Sequence, residues 1–270
     1  MSELCAGGTS VSNCARREFS KGALAVDEKY ANPPVEEAVC EFKLTTDTPW
    51  DLTVPGLFYE KVRGTFPQRE QRVIQEVELV QGPQGLQQQI RTSDRVLLFT
   101  EDRKTLVQLG PRLLVINALK PYPAWQNFKS YVEMVWRSLQ SVLEVRGLDR
   151  IGLRYLNRIE LPARNVELAE YFEFYPFIGK RLPQHTVSFI AGAEFSYEGE
   201  RDRCRVQLAP IPDLTDKSVF MLDIDYFLAH PRSVGVGDAL GWVEEAHSQV
   251  REIFEGCITE RLRATFREAR

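Results

Sequence analysis

Histidine is scarce in this chain, and metal-ligand spacing is missing. His185, His230 and His247 are the three histidines in 270 residues, they form no pair at ligand spacing, and the chain has neither HExxH nor paired CxxC. The usual zinc-site motifs are thereby excluded, and no cofactor is expected. There is no GxSxG, no P-loop and no GxGxxG after a strand. The nearest approach, "GVGDALG" at 235–241, has no strand-to-helix crossover ahead of it and reads as a flexible lead into a helix. No run approaches 18 apolar residues, which excludes a membrane-spanning helix. The first residues lack the apolar centre of a secretory signal, so a cytoplasmic protein is expected. A net charge of −4, with both signs interspersed, supplies no overall field toward nucleic acid or an anionic membrane. Five cysteines, an odd number without tight pairing, suit a reducing compartment; Cys40, Cys204 and Cys257 fall in apolar periodic segments and should be small core residues.

What is present is an ordinary folding sequence, 43% hydrophobic and 27% charged, of a length that allows one large domain or two small fused ones. Residues 1–29 carry too little apolar surface to offset ordering entropy and are expected to form a flexible arm. From Val35 the pattern has period two, with Ala38, Cys40, Phe42 and Leu44 on one face and Glu37, Val39, Glu41 and Lys43 on the other: a half-buried strand. Leu57, Phe58, Val62 and Phe66 then predict a short helix between Pro55 and Pro67. A meander of four short strands follows, with turns expected at Gly82–Gly85, Ser93–Asp94, Glu101–Asp102 and Gly110–Pro111. Trp125, Phe128, Val132, Val135, Trp136, Leu139, Val142 and Leu143 form one continuous helical stripe.

The order then starts again. Ile151, Leu153, Tyr155, Asn157 and Ile159 alternate with Gly152, Arg154, Leu156, Arg158 and Glu160 as a second half-buried strand. "NVELAEYFEFYP" predicts a short helix, residues 198–203 a hairpin turn, and "KSVFMLDIDYFL" a further strand. A long helix capped by Asp238 carries apolar residues from Val243 to Phe266. The opening strands lie near 36 and 151 and the long helices start near 125 and 239, an offset of about 114 residues throughout. The expectation is an α+β fold made by tandem duplication of a strand, helix, antiparallel meander and long helix. Units 30–146 and 147–270 would share one antiparallel sheet, with two long helices packed on one face.

Candidate site residues are charged ones on the polar faces. Arg150, Arg154 and Arg158 face the acids Glu37 and Glu41 if the opening strands meet at the centre of the sheet. Cross-strand ion pairing is the simpler reading, at ~0.2–1 kcal/mol per pair. The functional alternative is an arginine strip that forks onto phosphate or carboxylate. Asn157 stands on an otherwise apolar face and needs a hydrogen-bond partner. Asp223 and Asp225, two apart on one strand face, would hold a divalent cation if a third acid joined them; otherwise they are solvated or ion-paired.

"YANPPVEEAVCEFKL" at 30–44 and "RIGLRYLNRIEL" at 150–161 resemble a sporadically distributed bacterial protein family. Its members open on an NPPxxEAVxEF strand and carry an R-[IL]-G-[LV]-R-Y-[IL]-N-R strand mid-chain. The resemblance covers nearly all of 30–266 and implies an association with mobile or defence genes, without implying an activity. The repeated order is also similar to the saddle of TATA-box-binding proteins, but the mixed charge on the polar face departs from their basic underside. The expected function is a non-enzymatic interaction module that takes a protein partner or a small anionic ligand, its oligomeric state open. Arg154, Arg158, Asn157, Glu37 and Glu41 are the candidate contacts. The alternatives are a metal-dependent hydrolase or nuclease on Asp223 and Asp225, and a single-stranded nucleic-acid binder using Arg154, Arg158 and Tyr155.

Overall fold

The computed structural model describes residues 30–267 except 83–84, 164–165, 185, 187 and 213–216, and for the rest of 74–93 the backbone alone. The expected arm at 1–29 and His185 lie outside the described residues. Among the described residues, nine strands form one antiparallel sheet: β1 (Val35–Leu44), β2 (Gln68–Gly82), β3 (Gly85–Phe99), β4 (Thr105–Gly110), β5 (Leu113–Leu119), β6 (Leu148–Leu161), β7 (Ala191–Tyr197), β8 (Asp202–Pro210) and β9 (Ser218–Leu228). Their order is β2-β3-β4-β5-β1-β6-β9-β8-β7. The two opening strands β1 and β6 therefore pair at the centre, in a register that places Val39 opposite Arg154 and Cys40 opposite Leu153.

Among the described residues, four α-helices accompany the sheet: α1 (Val54–Val62), α2 (Trp125–Gln140), α3 (Ala239–Cys257) and α4 (Glu260–Arg267). Helix α2 rests against α1 and β5, and α3 against β6 and β9. On the face that bears them, Phe42 stacks on Trp136 with ring centroids 4.4 Å apart, and Tyr226 packs on Trp242 at 5.8 Å. Alternate residues of β1, β6 and β9, namely Ala38, Cys40 and Phe42, Leu153 and Tyr155, and Leu222, Ile224 and Tyr226, join both long helices in one continuous apolar core. Each large side chain buried there contributes about 1.5–3 kcal/mol. Cys40, Cys204 and Cys257 are buried free thiols, and burial pushes the Cys257 thiol up to about 12.

Three elements differ from the sequence pattern. No turn forms at Ser93–Asp94, because both residues continue in register with Ile74 and Val73 of β2. The β2–β3 ribbon consequently outruns the sheet, since β3 meets β4 only over Val96–Phe99. The helix expected at 165–176, whose first residue lies outside the described residues, is reduced to a single turn, Leu168–Glu170. Phe172 instead forms a bridge with Ile258, and Glu173 N–H and Thr259 N–H donate to Cys257 O and Tyr171 O, so this backbone is extended. That same bridge divides the last helix, because Ile258 adopts φ −124° and ψ 151° between α3 and α4. Asp238 occupies the N-cap position of α3 but makes no side-chain capping bond.

Candidate functional site

The charged candidates lie on the sheet face opposite the helices and are largely occupied with one another. Arg150 Nη1 donates to Glu41 Oε1 at 2.7 Å, and its Nη2 donates to both Asp225 oxygens at 2.9 Å. Its guanidinium passes close over Gly152, where a Cβ would sit 2.4 Å from Nη1. Arg154 grips Asp223 with a two-pronged bond, Nε to Oδ1 at 2.8 Å and Nη2 to Oδ2 at 2.5 Å. Arg158 turns along its own strand to Glu160, which also accepts from Lys217 at 3.0 Å. Glu37 accepts from Asn117 Nδ2 at 2.7 Å.

Electrostatics follow from this pairing. The bond to Asp223 raises the Arg154 pKa against the opposing effect of burial. Burial works against the charge on Arg150, but Asp225 and Glu41 outweigh it and hold the guanidinium protonated. Burial pushes the Asp225 carboxyl up from its ordinary value while Arg150 and Arg154 pull it back. The sequence pattern placed the acids of β1 opposite the arginines of β6. The structure brings Glu41 to Arg150, while Arg154 turns the other way, to β9. Asp223 and Asp225 share a strand face but each has a guanidinium partner. Among the described residues no three His, Cys, Asp or Glu side chains converge as metal ligands.

Asn157, the odd polar residue of the apolar face, leads to a different place. Its Nδ2 donates to Leu222 O at 3.1 Å and to Tyr155 O at 3.4 Å, bridging to the β9 backbone. Beside it, on the helix side of the sheet, is a cavity of about 350 Å³. Strand β6 contributes Tyr155 and Asn157, the loop after β5 contributes Tyr122, and α2 and α3 contribute Trp125, His247 and Phe254. Pro33 and Pro34 border it from the chain leading into β1.

Each wall is fixed by identifiable bonds. Trp125 and His247 stack face to face at 3.9 Å with an interplanar angle of 2°. Trp125 Nε1 donates to Glu244 at 3.3 and 3.4 Å, and Lys129 Nζ reaches the same carboxylate at 2.8 Å, so α2 and α3 are clamped beside the cavity. Burial raises the Glu244 pKa, but the bonds from Lys129 and Trp125 outweigh it and hold the carboxyl below its ordinary value. Tyr30 Oη donates to Glu255 Oε1 at 2.5 Å, and Asn32 N–H to Phe266 O at 3.0 Å, which ties the Asn-Pro-Pro segment across α3 and α4. The Tyr122 and Tyr155 hydroxyls lie 2.8 Å apart.

The backbone at the cavity is strained. Ala124, which lines it and caps α2, has φ 73° and ψ 156°, a region open in practice only to glycine and costing a side-chain-bearing residue about 1–3 kcal/mol. Such outliers concentrate at ligand clamps and active sites.

A second cleft, beside β8, surrounds Asp202, a carboxylate only 1% exposed. Trp242 Nε1 donates to it at 3.0 Å, Tyr226 Oη at 3.2 Å and Arg201 Nη2 at 2.7 Å. With its oxygens taken, Asp202 joins strand to helix and has little left for a ligand.

Sequence reasoning reached the cavity through Asn157 and missed Tyr122, Trp125 and His247. The one signal available was the polar residue on the apolar face. Tyr122 and Trp125 read as loop and core, and no local pattern announces that α3 lays His247 on Trp125. No helix among the described residues is long and apolar enough to cross a membrane. In comparisons with known proteins, no protein-family model and no curated protein matches this chain.

Proposed function

We propose that the chain is a non-enzymatic ligand-binding module that holds a small molecule in the cavity between its two halves. In this reading, units 30–146 and 147–270 descend from one strand, helix, meander, long-helix unit by tandem duplication, and the joint between them became the ligand seat. The strand order supports it: outward from the centre run β1, β5, β4, β3 and β2 on one side and β6, β9, β8 and β7 on the other, so the two sides match except for β2 at one edge. Binding sites form preferentially at such joints.

The observation that carries the proposal is an aromatic-walled cavity of about 350 Å³ bordered by Ala124 in a glycine-only backbone region. Its size is at the lower end of the ~300–1,000 Å³ of small-molecule pockets. The arginine strip is a weaker candidate for an anionic ligand, because Arg150 and Arg154 would have to give up charged partners at 2.5–2.9 Å. The test is thermal melting of the full chain with a protein-free extract of cellular small molecules. The extract should raise the melting midpoint of the wild type and not that of Ala31→Trp, which fills the cavity mouth from an exposed position. An equal rise in both proteins, or none in the wild type, would end this reading.

A further inference from the structure

Two buried side chains on the cavity wall retain hydrogen-bonding capacity that the described protein groups do not use. The Tyr122 and Tyr155 hydroxyls share one hydrogen bond across 2.8 Å. Of their two protons one lies between the oxygens, and the other meets no acceptor among the described residues. Tyr155 is 6% exposed and Asn157 is 3% exposed, so neither is freely solvated. Asn157 spends Nδ2 on two backbone carbonyls, and among the described residues no donor reaches its Oδ1. The two residues alternate on β6 and project from the same face, roughly 6.6 Å apart along the strand. A ligand would cut these groups off from the solvent at the cavity, so an occupant that supplies both an acceptor and a donor is preferred to an apolar one.

The rest of the lining defines that occupant further. Trp125, His247 and Phe254 favour a flat π-face. The volume admits one or two rings with a small substituent and no long chain. Two acids beside the cavity are already committed, Glu244 to Trp125 and Lys129, and Glu255 to Tyr30 and Arg263. Arg251, the remaining cation of the lining, is engaged as well, so a charged ligand would have to draw one of these groups from its partner. Resting on the ligand-seat reading above, we infer that the cavity takes an uncharged planar heteroaromatic ring with acceptor and donor groups on its rim, the chemistry of a nucleobase. A ring oxygen or nitrogen accepts the spare tyrosine proton, and a ring or exocyclic N–H donates to Asn157 Oδ1. This chemistry occurs in a free base or nucleoside and also in an unstacked base of a single strand.

Calorimetric titration of the full chain separates these cases, using adenosine, guanosine, cytidine and uridine, short single-stranded DNA and RNA, and indene as a ring without rim groups. At least one nucleoside should bind, more tightly than indene. Tyr122→Phe with Tyr155→Phe, which keeps both rings, should weaken it about tenfold. Ala31→Trp should abolish it, and this exposed substitution serves as the check if the paired phenylalanines impair folding. Binding of oligonucleotides without nucleosides would keep the base chemistry and assign its source to a strand. The inference is overturned if neither nucleosides nor oligonucleotides bind while the cell extract still stabilises wild type and not Ala31→Trp. Indene binding as tightly as the best nucleoside would overturn it too, as would undiminished affinity in a folded double phenylalanine variant. Loss of the extract effect itself would instead bring down the ligand-seat reading.

Discussion

On one face of β1, β6 and β9, charge is abundant and nearly all of it is matched: Arg150 holds Glu41 and Asp225, Arg154 holds Asp223, and Asn117 covers Glu37. On the other face polar groups are few, yet Asn157 and the Tyr122–Tyr155 pair keep unused bonding capacity beside a cavity. Charge density is therefore a poor guide to a site in this protein. The exposed arginines and acids attract the eye in the sequence, but side chains long enough to reach across a strand neutralise one another. A sparse buried polar group cannot do so, and its unmet capacity directs attention to a ligand.

Substitutions on the two faces should separate accordingly. The largest effect is expected from Phe42→Ala, which removes a fully buried ring stacked on Trp136 and should cost about 3–5 kcal/mol in denaturant unfolding. Arg150→Ala should cost about 1–3 kcal/mol, because it leaves Glu41 and the mostly buried Asp225 as neighbouring unpaired carboxylates. Adding Asp225→Asn should recover part of that loss. Next is Ala124→Gly: relief of the positive φ should stabilise the fold by about 1 kcal/mol, and a destabilisation would remove the argument for strain at the cavity. Arg154→Ala, at a side chain 45% exposed, should change stability by less than about 1 kcal/mol. Combined with Arg158→Ala it should leave ligand binding unaltered, and a loss of binding would shift the site to the polar face.

The smallest expected effect is a pH dependence at the clamp between α2 and α3. Lys129 and Trp125 depress the Glu244 pKa below its ordinary 4.5 in the folded protein. Its contribution to stability is therefore complete above that value and fades as pH falls through the lower folded value. Glu244→Gln should melt below wild type at neutral pH, and the two midpoints should converge in acid. Parallel curves would detach the clamp from the stability of this face.

Much of the architecture was readable from residue order because it depends on local periodicity. Alternation at Ala38, Cys40, Phe42 and Leu44 and at Leu153, Tyr155 and Ile159 marks two strands with one apolar face each, and a three-to-four spacing marks α2 and α3. Ser93–Asp94 was misread as a turn because composition cannot report that β2 continues alongside with open hydrogen-bonding groups. The last helix looked unbroken because its apolar stripe continues through Ile258, whose backbone is claimed by Phe172, 86 residues earlier in the chain.

By itself, then, the sequence determined most of the strands, the two long apolar helical stripes and the faces they bury, all consequences of side-chain spacing along a single backbone. Which arginine meets which acid was decided only in the tertiary structure, as was the placing of Tyr122, Trp125 and His247 around Asn157. These residues come from separate elements, and the distances between them depend on how the helices settle on the sheet. No local pattern encodes that geometry.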